Sequence, residues 1–79
     1  RWGYLMHALY EKIAEILELD EVVDSDKVDD LENWDSLSVF SILAHINTEY
    51  DVTISTEEME RIVTIGDLVL IVAQKTGNT

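Results

Sequence analysis

The stretch that decides the fold reads "NWDSLSVF" and covers residues 33–40. An acidic segment precedes it, and apolar residues at helical spacing follow it. Asp and Ser are favoured at the N-caps of helices, so a helix is predicted to begin at about Ser36. No histidine or lysine lies close to Ser36 in the sequence that could activate its hydroxyl. The position of Ser36 therefore needs an explanation other than nucleophilic catalysis by a neighbouring pair.

The composition limits the classes of protein that this chain can represent. Its 79 residues suit one domain, 1–79, and 47% hydrophobic residues suffice for one small core. No apolar run approaches the roughly 20 residues of a membrane span. Seventeen acidic residues against five basic ones give a net charge of −12, which disfavours nucleic acid and favours basic partners. Cysteine is absent, so any thiol must come from a cofactor. We expect a monomeric cytoplasmic protein, with residues 1–5 either a linker or an addition ahead of Met6.

Four segments show apolar residues at spacings of three and four, which predicts four helices. Their predicted ranges are Tyr4–Leu19, Ser36–Tyr50, Ser55–Arg61 with its cap included, and Leu68–Lys75, the last opened by residues 64–67. The buried stripes are predicted at Leu5, Leu9, Ile13, Ile16 and Leu17 in the first helix and at Val39, Ile42, Leu43, Ile46 and Tyr50 in the second. The expected fold is all-α, a four-helix bundle with a long loop at residues 20–35 and a short third helix.

Local signals define how the last two helices begin and end. Ser55 and Glu58 match a capping box, and residues 64–67 open the last helix in a similar way. Gly77 is predicted to close that helix. The long loop carries eight carboxylates and one lysine between residues 20 and 35, so a few apolar residues must hold it to the bundle. The predicted anchors are Val22, Val23, Val28, Leu31 and Trp34.

The acidic loop suggests a calcium site, but its pattern does not match an EF-hand. A loop beginning at Asp24 has Val28 at the fifth position and Asp29 at the sixth, where glycine is required. Its twelfth residue is Asp35, which is shorter than the bidentate glutamate of that motif. We therefore predict no metal site.

Neither histidine is a convincing base for Ser36. His45 follows it by nine positions, about 900° of helical rotation and about 13.5 Å of rise, which places the two on opposite faces. His7 lies on another helix, and a triad would also need an oxyanion hole and a pocket. Both histidines are predicted to lie at the surface or at the edge of the core.

The segment around Ser36 resembles the acyl carrier protein and peptidyl carrier domain family. The resemblance extends from about Leu9 to Ala73 and centres on the "DSL" motif, residues 35–37. The frame around this motif also matches: an amphipathic first helix, a long acidic loop and an apolar second helix. Further matching positions are Tyr50-Asp51, Ile54, Glu57-Glu58 and Ile62-Val63-Thr64-Ile65.

The resemblance implies a covalent 4′-phosphopantetheine arm on Ser36, joined through a phosphodiester. A phosphopantetheinyl transferase would supply the base that Ser36 lacks. The chain would then be a non-catalytic carrier of an acyl, aminoacyl or related group, held as a thioester on the arm and passed between loading and acceptor enzymes. The residues expected to contact the transferase or other partners are Asp35, Leu37, Phe40, Ala44, Met59, Glu57 and Glu58.

The predicted second helix departs from the carboxylate-rich helix of fatty-acid carriers. Glu49 is its only acidic residue, and the residues expected to face outward are Ser38, Ser41, Asn47 and Thr48. This pattern favours an apolar docking surface and a carrier dedicated to one biosynthetic pathway. Taken alone, Ser36 could instead be a simple helix cap. The alternative function is then an acidic helical protein-interaction module.

Overall fold

The computed structural model describes residues 2–76, with side chains described from Met6 onward. Its helices are α1 (Trp2–Leu17), α2 (Ser36–Tyr50), α3 (Thr56–Arg61) and α4 (Ile65–Lys75), with one 3-10 turn at Val28–Asp30 inside the long loop. The predicted all-α four-helix architecture is confirmed, as are both ends of α2. The 3-10 turn was not predicted. The predicted cap at Gly77 and the burial of Leu5 lie outside what is described.

The first helix ends earlier than predicted. Glu18 adopts a left-handed backbone conformation, with φ of 61°. The amide of Glu18 then donates to the carbonyl of Glu15 at 3.1 Å, and that of Leu19 to the carbonyl of Ala14 at 2.8 Å. This pair of bonds is a Schellman motif, which ends a helix by satisfying its last carbonyls. The prediction that the helix reaches Leu19 is therefore wrong.

The core lies between α1 and the helices α2 and α4, which both pack against it. The buried α1 residues are Met6, Leu9, Ile13, Ala14 and Leu17. Those of α2 are Ile42 and Ile46, and those of α4 are Ile65, Leu68, Val69, Val72 and Ala73. The predicted stripe of α2 is thus only partly correct, because Val39, Leu43 and Tyr50 are half-buried.

Backbone hydrogen bonds fasten the long loop to the N-terminus of α4. The amide of Ile65 donates to the carbonyl of Asp26 at 2.9 Å, and that of Gly66 to the carbonyl of Asp24 at 3.0 Å. The amide of Val28 donates to the carbonyl of Val63 at 3.0 Å. The first amides of a helix have no partner within it, so the loop supplies acceptors that the helix needs.

Side chains hold the same loop against the rest of the bundle. Val22 and Val28 are buried as predicted, whereas Val23 is 46% exposed and is not an anchor. The hydroxyl of Tyr10 donates to the carboxylate of Asp24, which joins the loop to α1. The pKa of Tyr10 is raised to about 12, chiefly by burial and further by the hydrogen bond to Asp24 and the charge of that carboxylate.

Both predicted capping boxes are present. Ser55 caps α3 with Glu58 reaching back to it, and Thr64 caps α4 in the same way with Asp67. Because Thr64 is the cap, α4 begins at Ile65, and the prediction that it begins at Leu68 is wrong. Lys75 at the end of α4 pairs with Glu58 across 3.2 Å, so α3 is also tied to α4. Within the described range, no helix combines the length and apolar character needed to cross a bilayer.

Candidate functional site at the start of α2

Ser36 is the first residue of α2, and its neighbours cap the helix. The N-cap is Asp35, whose carboxylate accepts a hydrogen bond from the amide of Ser38 at 2.9 Å. The hydroxyl of Ser38 accepts one from the amide of Asp35 at 3.0 Å, which completes a capping box. The alternative that Ser36 is itself the cap is therefore wrong. Its exposed side chain is left free for another role.

The surroundings of Ser36 suit a covalently attached phosphate group. The amides of Ser36 and Leu37 stand in the first turn of α2 and have no hydrogen-bond acceptor in residues 2–76. Free amides and the helix dipole favour a negative group at such a position. The carboxylate of Asp35 opposes it by charge, although one of its oxygens is engaged by the amide of Ser38. An exposed hydroxyl beside two free amides therefore fits a phosphodiester.

A hydrogen-bond network connects this turn to the C-terminus of α1. The side-chain amide of Asn33 donates to the carbonyl of Leu17 at 2.6 Å. The hydroxyl of Ser38 lies 2.7 Å from the carbonyl oxygen of Asn33 and 3.0 Å from that of Asp35. Ser38 is half-buried in this network, so the prediction that it faces outward is wrong.

No role for Asn33 was predicted from the sequence. The signal available was its residue type, because asparagine is favoured in turns that lead into helices. Its partner, the carbonyl of Leu17, lies at the end of another helix and could not be identified from local sequence.

The predicted apolar contact residues lie in two different environments. Leu37 and Phe40 are 78% and 72% exposed, which is unusual for large apolar side chains. Ala44, one turn after Phe40, is exposed as well. Met59 is half-buried and packs against the core. The exposed apolar surface of α2, defined here by Leu37, Phe40 and Ala44, thus begins directly beside Ser36.

The predicted acidic contacts on α3 also differ from each other. Glu57 is exposed. Glu58 accepts a hydrogen bond from the amide of Ser55 at 2.9 Å and pairs with Lys75. These interactions lower the pKa of Glu58, and the hydrogen bond from the amide of Ser55 has the largest effect. Glu58 therefore stabilises the fold in addition to any contact that it makes with a partner.

The histidines lie in contacts that do not include Ser36. The ring nitrogen Nε2 of His7 is 3.2 Å from a carboxylate oxygen of Glu11. His45 is half-buried, with its ring edge-on to that of Tyr50 at a centroid distance of 6.2 Å. Across the described part of the chain, no three acidic or histidine side chains converge in a way that could hold a metal ion.

A shallow hollow of about 350 Å³ lies beside the start of α2. Its lining residues are Ile16, Glu18, Asn33, Asp35, Leu37, Ser38 and Ser41. A larger concavity of about 550 Å³ lies along α1 and the start of the long loop and includes none of these residues. The start of α2 thus presents an exposed hydroxyl, an apolar surface and a shallow hollow, but no acid–base pair.

Comparisons with known proteins agree with this geometry. The family model described as "Phosphopantetheine attachment site" matches residues 7–72. An acyl carrier protein of Streptococcus thermophilus is 40% identical over 74 residues, covering 87% of this chain and 97% of that protein. One from Picosynechococcus is 32% identical over 75 residues, covering 87% of this chain and 93% of that protein.

A solved structure shows the same fold. It is the solution NMR structure of the holo acyl carrier protein from Geobacter metallireducens, with a TM-score of 0.78. The match covers 92% of this chain and 86% of that one at 21% sequence identity, so it supports the fold alone.

Proposed function

The chain belongs to the phosphopantetheine attachment-site family, which includes acyl carrier proteins, and on that premise we propose that Ser36 is its attachment residue. Membership gives the chain the function of an acyl carrier with a covalent 4′-phosphopantetheine group. What remains to be assigned is the residue that bears the arm and the enzymes that use it.

The observation that carries the assignment to Ser36 is the division of roles in the first turn of α2. Asp35 and Ser38 cap the helix, so the hydroxyl of Ser36 is not needed as its cap. Exposure lets a transferase reach that hydroxyl, and the free amides of the first turn would favour the negative phosphate that results. The transferase provides the base that this part of the chain lacks.

The arm supplies the thiol on which a group is carried as a thioester. The chain has no cysteine of its own, so the protein would hold and present the arm without reacting at a side-chain thiol. In this proposal it is a non-catalytic, monomeric carrier in the cytoplasm. Its partners are a phosphopantetheinyl transferase, a loading enzyme for an acyl or aminoacyl group, and acceptor enzymes.

The surface of α2 favours a carrier dedicated to one pathway. Glu49 is the only acidic residue of α2, and the largest exposed side chains near Ser36 are Leu37 and Phe40. A partner that docks here must cover apolar area, and such burial contributes about 25 cal/mol per Å². An enzyme that recognises rows of carboxylates would find few on this helix. We therefore propose recognition by a dedicated loading enzyme with an apolar docking surface.

Intact-mass spectrometry tests the attachment residue directly. The chain is incubated with coenzyme A and a broad-specificity phosphopantetheinyl transferase, and the wild type should gain the mass of one arm. Ser36→Ala should gain none and keep the helical circular dichroism of the wild type, because the cap of α2 does not use Ser36. Ser41→Ala, which changes an exposed serine of the same helix, should be modified like the wild type.

Two results would contradict the assignment. Modification of Ser36→Ala would place the arm on another residue. An unmodified wild type, tested beside a carrier that the same transferase does modify, would favour the acidic protein-interaction module instead.

A further inference from the structure

We infer that Asn33 is a positioning residue for the transfer of the arm, a role that rests on the proposed function of Ser36. Asn33 connects the end of α1 to the first turn of α2. Within residues 2–76, no other residue of this turn forms a side-chain hydrogen bond to α1. Its side-chain amide donates to Leu17 at the end of α1, and its carbonyl accepts from Ser38 in the first turn of α2.

The bond to α1 is short and partly buried. The donor nitrogen of Asn33 lies 2.6 Å from the carbonyl oxygen of Leu17. Leu17 is the last residue of α1, and the last carbonyls of a helix have no partner inside it. The side chain of Leu17 is fully buried in the core. Asn33 is therefore hydrogen-bonded to a core helix outside its own loop.

The second half of the connection holds the turn that bears Ser36. The hydroxyl of Ser38 lies 2.7 Å from the carbonyl oxygen of Asn33 and accepts from the amide of Asp35 at 3.0 Å. Asp35 in turn accepts from the amide of Ser38 at 2.9 Å. Ser36 lies between Asp35 and Ser38, so the backbone that carries its hydroxyl is held on both sides.

Fixing this turn matters for a reaction at an exposed hydroxyl. A transferase must bring the hydroxyl oxygen of Ser36 in line with the pyrophosphate of coenzyme A that it holds in its own site. A P–O bond then forms to Ser36, the P–O bond to the leaving adenosine 3′,5′-bisphosphate breaks, and the base of the transferase takes the hydroxyl proton. Misplacement of about 1 Å can lower such a rate by about a hundredfold. Without the bond from Asn33, the first turn of α2 loses its side-chain hydrogen bond to α1 and is expected to sample more positions. Phe40 and Ala44, which continue the exposed apolar surface of α2 beyond this turn, remain as they were.

Asn47 provides a matched control at the opposite end of α2. Its side-chain amide also donates to backbone and side-chain oxygens beyond the helix, those of Val52 at 3.4 Å and Thr53 at 3.2 Å. Asn47→Ala therefore removes the same kind of interaction, far from Ser36. If Asn33 only stabilised the fold, the two variants would affect the transfer reaction alike.

The test is steady-state kinetics of arm transfer with coenzyme A and a broad-specificity phosphopantetheinyl transferase, with the carrier as the varied substrate. We expect Asn33→Ala to lower kcat by roughly tenfold or more, with KM changed by no more than about twofold. Asn33→Asp keeps the shape of the side chain but loses its donor, so it should behave like Asn33→Ala. Asn47→Ala should retain the wild-type kcat.

Amide hydrogen exchange gives a readout that does not depend on any enzyme. In Asn33→Ala, the amides of Ser38 and Val39 should exchange faster than in the wild type, whereas those of Ile42 and Ile46 should not. Wild-type kcat in both Asn33 variants, or an equal loss in Asn47→Ala, would overturn the inference. Failure of the proposed function would look different, because the wild type would then not be modified at all.

Discussion

Ser36 keeps its hydroxyl free because the residues around it supply the cap of α2. The extended backbone of Asp35, with φ of −137° and ψ of −177°, turns its carboxylate toward the amide of Ser38. Serine and aspartate are both good N-caps, so residue type could not decide between Asp35 and Ser36. The place of Ser36 at the start of α2 was predictable from sequence, but the identity of the cap depended on one backbone conformation.

Gly66 shows a packing constraint that its sequence position does not reveal. A Cβ atom at this position would lie 3.0 Å from both the Cβ and the carbonyl oxygen of Asp24. That carbonyl also accepts the hydrogen bond from the amide of Gly66, so loop and helix cannot separate without losing it.

Gly66→Ala should therefore destabilise the protein. Helix propensity alone predicts the opposite, a gain of up to about 1 kcal/mol for replacing a helical glycine with alanine. Overpacking of this kind costs about 1–3 kcal/mol, so we expect a net loss of stability. Thermal denaturation followed by circular dichroism measures the effect. A higher Tm for the variant would show that the loop gives way without loss.

At the level of elements, local patterns predicted the helices better than their connections. The sequence pattern predicted both ends of α2 at the observed residues, and the capping boxes identified the caps of α3 and α4, Ser55 and Thr64. The end of α1 was missed because a glutamate, Glu18, takes the left-handed position that glycine usually fills. The bonds from α4 to Asp24 and Asp26 join residues far apart in the chain, which no local pattern encodes.

The cap of α4 should give stability that is lost in acid. The carboxylate of Asp67 accepts hydrogen bonds from the amides of Val63 at 2.8 Å and Thr64 at 3.1 Å. These bonds hold the pKa of Asp67 below its ordinary value, and the bond from Val63 has the largest effect. A lowered pKa in the folded state means that the stabilisation is complete above the unfolded pKa, about 4, and is lost as pH falls through the folded pKa.

Asp67→Asn should accordingly be less stable than the wild type at pH 7, and the difference should shrink as the pH falls below about 4. Urea unfolding at a series of pH values measures it. Asp29→Asn is the control, because it removes one charge from an exposed carboxylate that accepts no hydrogen bond within residues 2–76. A constant difference between wild type and Asp67→Asn from pH 7 to pH 3 would contradict the prediction.

The exposed apolar surface of α2 leads to a prediction about partner enzymes. Burying a large apolar side chain contributes about 1.5–3 kcal/mol, and Phe40 is 72% exposed in the free chain. We therefore expect Phe40→Ala to slow loading of the arm-bearing carrier by its loading enzyme more than Glu49→Gln does. Intact mass of the loaded carrier over time gives the rate, and circular dichroism verifies that the helices are intact.

Electrostatic recognition would give a different result in the same experiment. Charge reversal would then stop loading while Phe40→Ala left it unchanged. The residues to reverse are Asp29, Asp30, Glu57 and Glu58. That outcome would place recognition on the long loop and α3 rather than on α2.

Over the whole molecule, negative charge greatly exceeds positive charge. The chain has 17 acidic residues and five basic ones. The described residues form three ion pairs, His7–Glu11, Lys12–Glu15 and Lys75–Glu58, of which the first is charged only when the histidine is protonated. Exposed pairs of this kind contribute about 0–1 kcal/mol each. Most of the carboxylates therefore repel one another without local compensation.

Salt should for this reason stabilise the fold. Added electrolyte screens exposed charges, with a Debye length of about 8 Å at 0.15 M ionic strength. Repulsion among many carboxylates is weakened more than the few exposed ion pairs, so the free energy of unfolding should rise with salt. For a domain of this size, each gain of about 1 kcal/mol would raise Tm by about 4–8 °C.

Thermal denaturation in sodium chloride, and then in magnesium and calcium chloride at matched ionic strength, tests whether salt stabilises the fold by screening. Because no metal-ligand cluster occurs within residues 2–76, the two divalent ions should act alike. A saturable rise in Tm with calcium that magnesium does not reproduce would instead reveal a specific site, and screening would then not be the cause.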